Sequence, residues 1–432
     1  MISEALLARV CTTLKGNDTG TFIKPSPGQY PHQWNWDSAV IALGLSHFDP
    51  ARAWAEVESL LASQWRDGMV PHIIYHHGPS DYFPPPDFWQ TAGLARAGDI
   101  PSSAFTQPPI LASVVRMLLE RPSTSGLIDD ATLRRHYERM LAWQRWLHVT
   151  RCPDGTGLPC LIHPWESGAD NSPRWAAILD GITPVDLPPF RRRDTVHVKA
   201  DERPRPEDYA RFVHIINLGR QLRWEPAALL ARMPFLVQDI MYIAILHRAD
   251  EDLAWLGARL GADTREIEGW RAGTTAIFDQ RFWDEKRGLY FDYDARAGHR
   301  IEIASYAPFT TLFAGLPTTA QAARLVNEHL LNPAEFAPGG PLKFGVPTIA
   351  ANEPLFGPRR YWCGPVWVII NWLIWHGLRR YGYADLADTL AADTLGLVEA
   401  QGFHEYYDPR DGSACGAADF SWSAALALEM AA

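Results

Sequence analysis

Apolar residues recur at helical spacing along most of the chain. Leu6, Val10 and Leu14 fall on one face of the first such segment. Asp49 followed by Pro50 is typical of a helix start, with the acid as N-cap and proline in the first turn. These patterns predict helices at Ile2–Lys15, Trp36–Phe48, Pro50–Trp65, Pro108–Arg121, Asp129–Val149, Pro206–Arg223, Phe235–Leu260, Thr264–Phe282, Thr318–Leu331, Tyr361–Tyr381, Ala384–Gly402 and Ser421–Met430.

Strand patterns are few and short, the clearest being Gly288–Asp294, which alternates about a turn. The predicted helix content lies far above the roughly 30–35% helix of an average domain, so the sequence predicts an all-α fold. Two segments rich in Pro or Arg, Tyr82–Gly98 and Gly181–Pro206, interrupt the helical rhythm. We interpret them as insertions that cover part of the molecule, because no change in composition marks a domain boundary there.

Charge and hydropathy exclude several classes of partner. The 50 acidic residues outnumber the 40 Lys and Arg residues, and the net charge of −10 argues against a nucleic-acid binder or an anionic membrane surface as partner. The longest apolar run, Val366–Trp375, has half the roughly 20 residues that a membrane span needs. No signal-peptide pattern is visible at the start of the chain.

The cysteine pattern indicates the cellular compartment, and the chain length indicates the number of domains. The five cysteines are widely spread and form no C-x-x-C pair, which predicts reduced thiols and a cytoplasmic protein. Length alone would favour two or three domains, with large barrels as the exception.

Tryptophan is unusually frequent, with 18 residues in 432. A single Trp in a large helical protein is more typical of the core, but four stretches place Trp beside a carboxylate in loops. Trp rings stack on the C–H faces of sugars, and an apolar wall raises the pKa of a carboxyl group, as a general acid requires. The four stretches are Tyr30–Asp37, Trp165–Trp175, Arg359–Trp367, and Gly402–Gly412 followed by Phe420–Trp422.

Three acidic residues in these stretches are candidates for glycosidic chemistry, which typically uses two carboxylates. Asp170 is a candidate proton donor, although Glu166 competes for that role and a helix starting at Pro173 could instead use Asp170 as a cap. Glu405 is the candidate partner, or alternatively a helix-terminal acid paired with an arginine. Asp37 could bind a sugar or serve as an N-cap.

Other catalytic chemistries are less well supported. Three histidines have metal-like spacing but lack the H-E-x-x-H pattern, so we predict no metal. Two acidic clusters resemble those of terpene synthases, but their polar surroundings favour solvated surface. No glycine-rich phosphate loop or G-x-S-x-G motif is present, and no cofactor is predicted. The groups concerned are His72, His76 and His77, Asp129-Asp130, and Asp250-Glu251-Asp252.

Taken together, four ordered motifs resemble family 63 of the glycoside hydrolases. In length, the chain is similar to the small bacterial and plant members that hydrolyse glucosylglycerate and mannosylglycerate. The motifs are QWNWDSA at Gln33–Ala39, WESGADNSPRW at Trp165–Trp175, YWCGPVW at Tyr361–Trp367, and HEYYDPRDG with FSWSAAL within His404–Leu426.

The resemblance implies a single (α/α)6 barrel over residues 1–432, with lid-like insertions near 76–107 and 181–210. It also implies an inverting mechanism, in which Asp170 is the general acid and Glu405 the general base. Asp37 would bind the sugar in the −1 subsite. Inversion requires the two carboxyl groups to lie roughly 6.5–9.5 Å apart.

The resemblance further implies a set of substrate-binding residues. Arg203 and Tyr209 would hold the glycerate carboxylate, since a buried anion needs a cationic partner, and Tyr82 would be a lid contact. A Gln expected just before Phe420 is missing. The remaining sugar-pocket positions are Tyr30, Gln33, Trp34, Trp36, Gln107, Trp165, Gly168, Tyr361, Trp362 and Trp367.

The resulting hypothesis is hydrolysis of glucosylglycerate, mannosylglycerate or both, releasing a hexose and D-glycerate and mobilising a compatible solute. The alternative enzyme is an α-glucosidase of the same family that acts on short neutral oligosaccharides. The alternative of another class is a sugar-binding barrel without catalysis.

Overall fold

Seventeen α-helices and nine short strands form the secondary structure of residues 2–77 and 81–432, which this computed structural model describes. The helices are α1 (Glu4–Asn17), α2 (Asn35–Leu45), α3 (Pro50–Ala62), α4 (Pro86–Trp89), α5 (Leu111–Glu120), α6 (Pro122–Ser125), α7 (Asp130–Thr150), α8 (Ala176–Asp180), α9 (Pro206–Gln221), α10 (Pro226–Arg232), α11 (Ile240–Arg259), α12 (Arg265–Phe282), α13 (Ala307–Ala314), α14 (Thr319–Arg324), α15 (Val368–Arg380), α16 (Ala384–Gln401) and α17 (Ser421–Ala431). The strands are β1 (Gln33–Trp34), β2 (Ile73–Ile74), β3 (Val237–Gln238), β4 (Trp283–Asp284), β5 (Leu289–Tyr290), β6 (Asp292–Asp294), β7 (His299–Ile301), β8 (His404–Tyr407) and β9 (Ala414–Ala418).

Two concentric rings of helices build the molecule. Helices α2, α5, α11, α13, α15 and α17 contact one another in that order, and α17 returns to α2, which closes the inner ring. The outer ring consists of α1, α3, α7, α12, α14 with its π-helical continuation Leu325–Leu330, and α16. Every residue of α2 is buried, whereas α12 buries only a stripe, as expected for inner and outer helices. The predicted (α/α)6 barrel is confirmed.

The predicted number of barrel helices was right partly by coincidence. The segment predicted as Pro206–Arg223 forms α9, which belongs to neither ring. The inner helix α13 was missed. It is buried throughout like α2, but with eight residues against eleven it is too short to show a helical period.

Local chemistry explains why two predicted helices start late. The segment predicted from Phe235 begins at Ile240, since Asp239 caps α11 by accepting hydrogen bonds from the amides of Met241 and Tyr242 at 2.8 and 3.2 Å. The segment predicted from Tyr361 begins only at Val368, after Tyr361 itself adopts a positive φ of 46°. The strand prediction at Gly288–Asp294 is confirmed by β5 and β6, but the two strands do not pair with each other: β5 pairs with β4, and β6 with β3 and β7.

The acidic cluster that was predicted to be solvated surface is largely buried. Asp250 lies 2.9 Å from the Nε2 atom of His148, and Asp252 accepts from Arg116 at 2.9 Å and Arg248 at 2.8 Å. Both aspartates are fully buried. The prediction was wrong for these two residues, because paired carboxylates can lie inside when their partners are on neighbouring helices.

The two insertions meet each other above the barrel. Asp81 pairs with Arg193, and the ring of Phe83 stacks on Phe190 at 5.7 Å. Residues 78–80 of the first insertion lie outside the described residues. Within the described part of the chain, no helix is long and apolar enough to cross a membrane.

Candidate active site

A cavity of about 790 Å³, including its open mouth, lies where the two insertions meet the loops that precede the inner helices. Nearly all the predicted site residues line it together, although they are spread over more than 370 positions of the sequence. The predicted residues that line the cavity are Tyr30, Trp34, Trp36, Asp37, Tyr82, Gln107, Trp165, Gly168, Asp170, Arg203, Tyr209, Tyr361, Trp362, Trp367 and Glu405.

Gln33 does not line the cavity, so its assignment to the sugar pocket was wrong. Successive side chains of a strand point in opposite directions, and in β1 it is Trp34 that faces the cavity. The Gln33 amide instead donates to the Ser38 hydroxyl at 3.0 Å and accepts from Ser59 at 3.3 Å. It therefore fixes β1 against α2 and α3.

Sequence reasoning missed eight lining residues: Pro25, Gln29, His72, Phe83, Asp194, Pro204, Phe420 and Trp422. Gln29 adjoins Tyr30, and Trp422 lies in the FSW segment that carries the fourth motif, so proximity to the motifs was the available signal. Asp194 and Pro204 come from the irregular second insertion, which offers no pattern for predicting which of its side chains face inward.

Asp170 occupies a loop that leaves its carboxyl group without a salt bridge in the described part of the chain. Ser172 provides the cap for the turn at Pro173, so the alternative capping role of Asp170 is not realised. The indole N–H of Trp175 donates to the Ala169 carbonyl at 2.9 Å and fixes the loop. Burial raises the pKa of Asp170 from 3.8 to about 7, although the nearby Arg203 charge acts in the opposite direction.

Glu166, the competing acid, is a structural residue. Its carboxylate is fully buried and accepts from Arg151 at 2.6 and 3.0 Å. The Ile162 amide donates to the same carboxylate at 2.8 Å, and Glu166 is not among the residues that line the cavity. A carboxylate held by these partners outside the cavity is not available to a substrate.

Glu405 lies on β8, beside the register shift between His404 and Tyr406. Its Oε1 atom accepts from the Tyr30 hydroxyl at 2.6 Å and from Nη1 of Arg203 at 3.1 Å. Its Oε2 atom accepts from the amide of Ala417, across the hairpin on β9, at 2.9 Å. Three donors directed at one buried carboxylate hold it in place.

Asp37 lies in the first turn of α2 and is buried. Trp34 is the N-cap of this helix, so Asp37 does not act as its cap. Burial raises the pKa of Asp37 well above its usual range, and the charge of Glu405 adds to this shift. The arrangement therefore places three carboxyl groups, those of Asp37, Asp170 and Glu405, at one cavity.

Aromatic rings form the walls between these acids. Trp362 and Trp367 stack with ring centroids 3.8 Å apart, and Trp36 meets Trp422 edge to face at 5.0 Å. Gly168 has a positive φ of 73°, and a Cβ atom there would lie 2.6 Å from the Trp36 ring, so only glycine allows this loop to approach the wall.

Several polar atoms in the wall lack a hydrogen-bond partner in the described residues although they are buried. Buried polar groups are normally paired, so these atoms suit a hydroxyl-rich ligand. They are Oε1 of Gln29, Oε1 of Gln107, Nε1 of Trp362 and Nε1 of Trp422.

The histidines considered as metal ligands make other contacts. Nδ1 of His72 lies 2.9 Å from the Ser103 hydroxyl, which itself accepts from the Ile73 amide. Burial lowers the pKa of His72 to about 3, so the ring is neutral. His76 instead contacts Gln33 at 2.5 Å. In the described residues, no cluster of three His, Cys, Asp or Glu side chains could hold a metal ion.

Comparisons with known proteins agree with this geometry. The family model for the mannosylglycerate hydrolase MGH1-like glycoside hydrolase domain matches residues 30–423. The mannosylglycerate hydrolase of Thermus thermophilus is 43% identical over 419 residues, which cover 96% of this chain and 98% of that protein. The glucosylglycerate hydrolase of Mycolicibacterium hassiacum is 35% identical over 442 residues, covering 98% and 97%.

The fold is also similar to a solved structure over nearly its full length. The crystal structure of the family 63 mannosylglycerate hydrolase from Thermus thermophilus, in complex with Tris and D-glycerate, superimposes with a TM-score of 0.91. The sequence identity of the pair is 41%, and the match covers 98% of this chain and 99% of that one.

Proposed function

This chain belongs to the MGH1-like glycoside hydrolases, and from that premise we propose that it hydrolyses mannosylglycerate, glucosylglycerate or both with inversion at the anomeric carbon. The products would be a hexose and D-glycerate. The relatives named for these two substrates match nearly the whole chain, which supports both sugars as candidates.

The observation that carries the proposal is the unequal surroundings of the two cavity carboxyl groups. Asp170, with its pKa raised to about 7, retains a proton near neutral pH. Glu405 instead receives hydrogen bonds from Arg203, Tyr30 and Ala417, so its carboxylate is already held as an acceptor. Glycoside hydrolysis needs one carboxyl group that donates a proton and a second that accepts one, and the contacts of these two groups differ in that sense.

In this mechanism, Asp170 protonates the glycosidic oxygen as the bond to the anomeric carbon breaks. Glu405 takes a proton from a water molecule that attacks the anomeric carbon from the opposite side. Asp37 accepts hydrogen bonds from the hydroxyl groups of the sugar, while the stacked Trp362 and Trp367 form its apolar platform.

The cavity offers an anionic aglycone one cationic partner, Arg203. Among the described residues, Arg203 is the only Lys or Arg that lines the cavity, against four acids. Tyr209 lines the same end, and the Arg203–Tyr209 pair is our candidate for holding the glycerate carboxylate. A Gln before Phe420 is missing, but Gln29 also lines the cavity, and its amide donates to the Asp194 carbonyl at 3.1 Å, the same carbonyl that accepts from Arg203.

We further propose that residues 1–432 form one catalytic domain in which the insertions near 76–107 and 181–210 act as lids. The contact between Phe83 and Phe190 joins the two insertions beside the cavity and supports this role. The cytoplasmic location stays a prediction from the cysteine pattern.

The test is to incubate the purified protein with mannosylglycerate and with glucosylglycerate and to follow free mannose and glucose. Proton NMR in the first minutes should show the β-anomer of the released sugar, because inversion of an α-glycoside yields β. Release of the α-anomer would reject the inverting assignment. Faster turnover of a neutral α-linked glucose disaccharide than of either glycerate substrate would favour the α-glucosidase alternative.

A further inference from the structure

We propose that Arg203 serves two carboxylates, positioning Glu405 while it binds the carboxylate of the aglycone. The inference rests on the proposed function and adds that the charge of the substrate and the position of the general base are coupled through one side chain. Arg203 is thus a positioning residue for the reaction as well as a binding residue.

The hydrogen bonds of Arg203 show that Glu405 already occupies part of it. Nη1 donates to Oε1 of Glu405 at 3.1 Å, Nη2 to the Tyr30 hydroxyl at 2.8 Å, and Nε to the Asp194 carbonyl at 3.3 Å. A guanidinium group has five N–H donors, two of them on each terminal nitrogen. One donor therefore remains on Nη1 and one on Nη2, enough to bind a second carboxylate without releasing the first.

The surroundings of Arg203 hold its guanidinium group in this position. The side chain is 1% exposed, and its guanidinium carbon lies 4.5 Å from the ring centroid of Tyr361 and 5.6 Å from that of Tyr30. A buried arginine in contact with two aromatic rings stays fixed, so the aglycone must approach the cation where it lies.

Arg203 is important to Glu405 because the cavity contains few other positive charges. Four acids line the cavity, and Arg203 is the one lysine or arginine among the described lining residues. Without it, Glu405 would keep only the Tyr30 and Ala417 hydrogen bonds. The base would then lose its ion pair even when the substrate carries no charge.

The experiment compares mannosylglycerate with mannosylglycerol, in which a neutral hydroxymethyl group replaces the carboxylate. For Arg203→Gln we expect kcat on the neutral substrate to fall about ten- to hundredfold, since a hydrogen bond to a charged group is lost. On the anionic substrate, KM should rise in addition. Arg205→Gln, on an exposed arginine of the same segment, is the matched control.

A second variant and a rescue separate this role from a structural one. Arg203→Lys keeps the charge but cannot serve both anions, so it should also lower kcat on mannosylglycerol. Guanidinium ion should restore kcat of an Arg203→Ala variant on that substrate. Unchanged kcat of the Arg203 variants on mannosylglycerol would overturn the sharing, leaving Arg203 as a carboxylate ligand alone. Failure of the wild type to hydrolyse both mannosylglycerate and glucosylglycerate would instead reject the proposed function.

Discussion

The loop around Asp170 and the hairpin around Glu405 face the same cavity but treat their carboxyl groups in opposite ways. The Asp170 loop offers its carboxyl group no salt bridge in the described part of the chain, and burial raises its pKa to about 7. The Glu405 hairpin supplies a backbone amide and brings the carboxylate against Arg203 and Tyr30. The partners of the two carboxyl groups therefore differ, and this difference distinguishes the candidate acid from the candidate base.

The same loop shows that burial alone does not create a proton donor. Glu166, four residues before Asp170, is more deeply buried but is bound by Arg151 through both carboxylate oxygens. The hydrogen-bond partners therefore distinguish the structural acid Glu166 from the candidate catalytic acid Asp170, although the two lie four residues apart.

The strongest test of the comparison removes each candidate catalytic acid in turn. Asp170→Asn and Glu405→Gln should each lower kcat on mannosylglycerate by about 10²–10⁴-fold, the usual contribution of a general acid or base. Stopped assays of released mannose measure this, with Asp201→Asn and Glu207→Gln on exposed positions as controls. A variant that keeps wild-type kcat would remove its residue from the mechanism.

The second largest effect concerns stability and contrasts Glu166 with Asp170. Glu166→Gln leaves Arg151 buried without its charged partner, and breaking a buried pair costs roughly 3–5 kcal/mol. Asp170→Asn removes no salt bridge and should leave the free energy of unfolding close to that of the wild type. Urea unfolding of both variants distinguishes them. Equal stabilities would mean that the two acids do not differ as their partners suggest.

A third, smaller effect distinguishes the general acid from the general base by the kind of leaving group on the substrate. An aglycone that leaves without a proton, such as 4-nitrophenol, needs no general acid. On 4-nitrophenyl α-mannoside, Asp170→Asn should therefore recover most of its lost kcat, whereas Glu405→Gln should remain impaired, because attack by water still needs a base. Release of 4-nitrophenol is read by absorbance. Recovery by Glu405→Gln instead would exchange the two roles.

The sequence predicted the fold well where polar and apolar positions alternate along a helix. All six outer helices carry such a pattern and were predicted. The inner helix α13 was not, because a segment of eight residues that is buried throughout is too short to show a period. The boundaries of α11 and α15 depend on the cap at Asp239 and on the turn at Tyr361. The spacing of apolar residues gives no information about either feature.

Within the site, the motif residues were predictable and their partners were not. Trp34 and Gln33 share a motif, yet only their alternation on β1 decides which one reaches the cavity. The pairing of Arg203 with Glu405 joins residues 202 positions apart, so it depends on tertiary packing that spacing cannot reveal.

The finest test of the comparison is the pH dependence of kcat/KM. Asp170 acts in its protonated form, so activity should be constant with respect to this group below its raised pKa of about 7 and should fall about tenfold per pH unit above it. An unperturbed aspartate, with a pKa of 3.8, would already be charged throughout this range. In Asp170→Asn the residual rate should lose this alkaline limb, since no proton remains to be lost at that position. An alkaline limb that persists unchanged in the variant would belong to another group, and the distinction between the two carboxyl groups would then have to rest on their contacts alone.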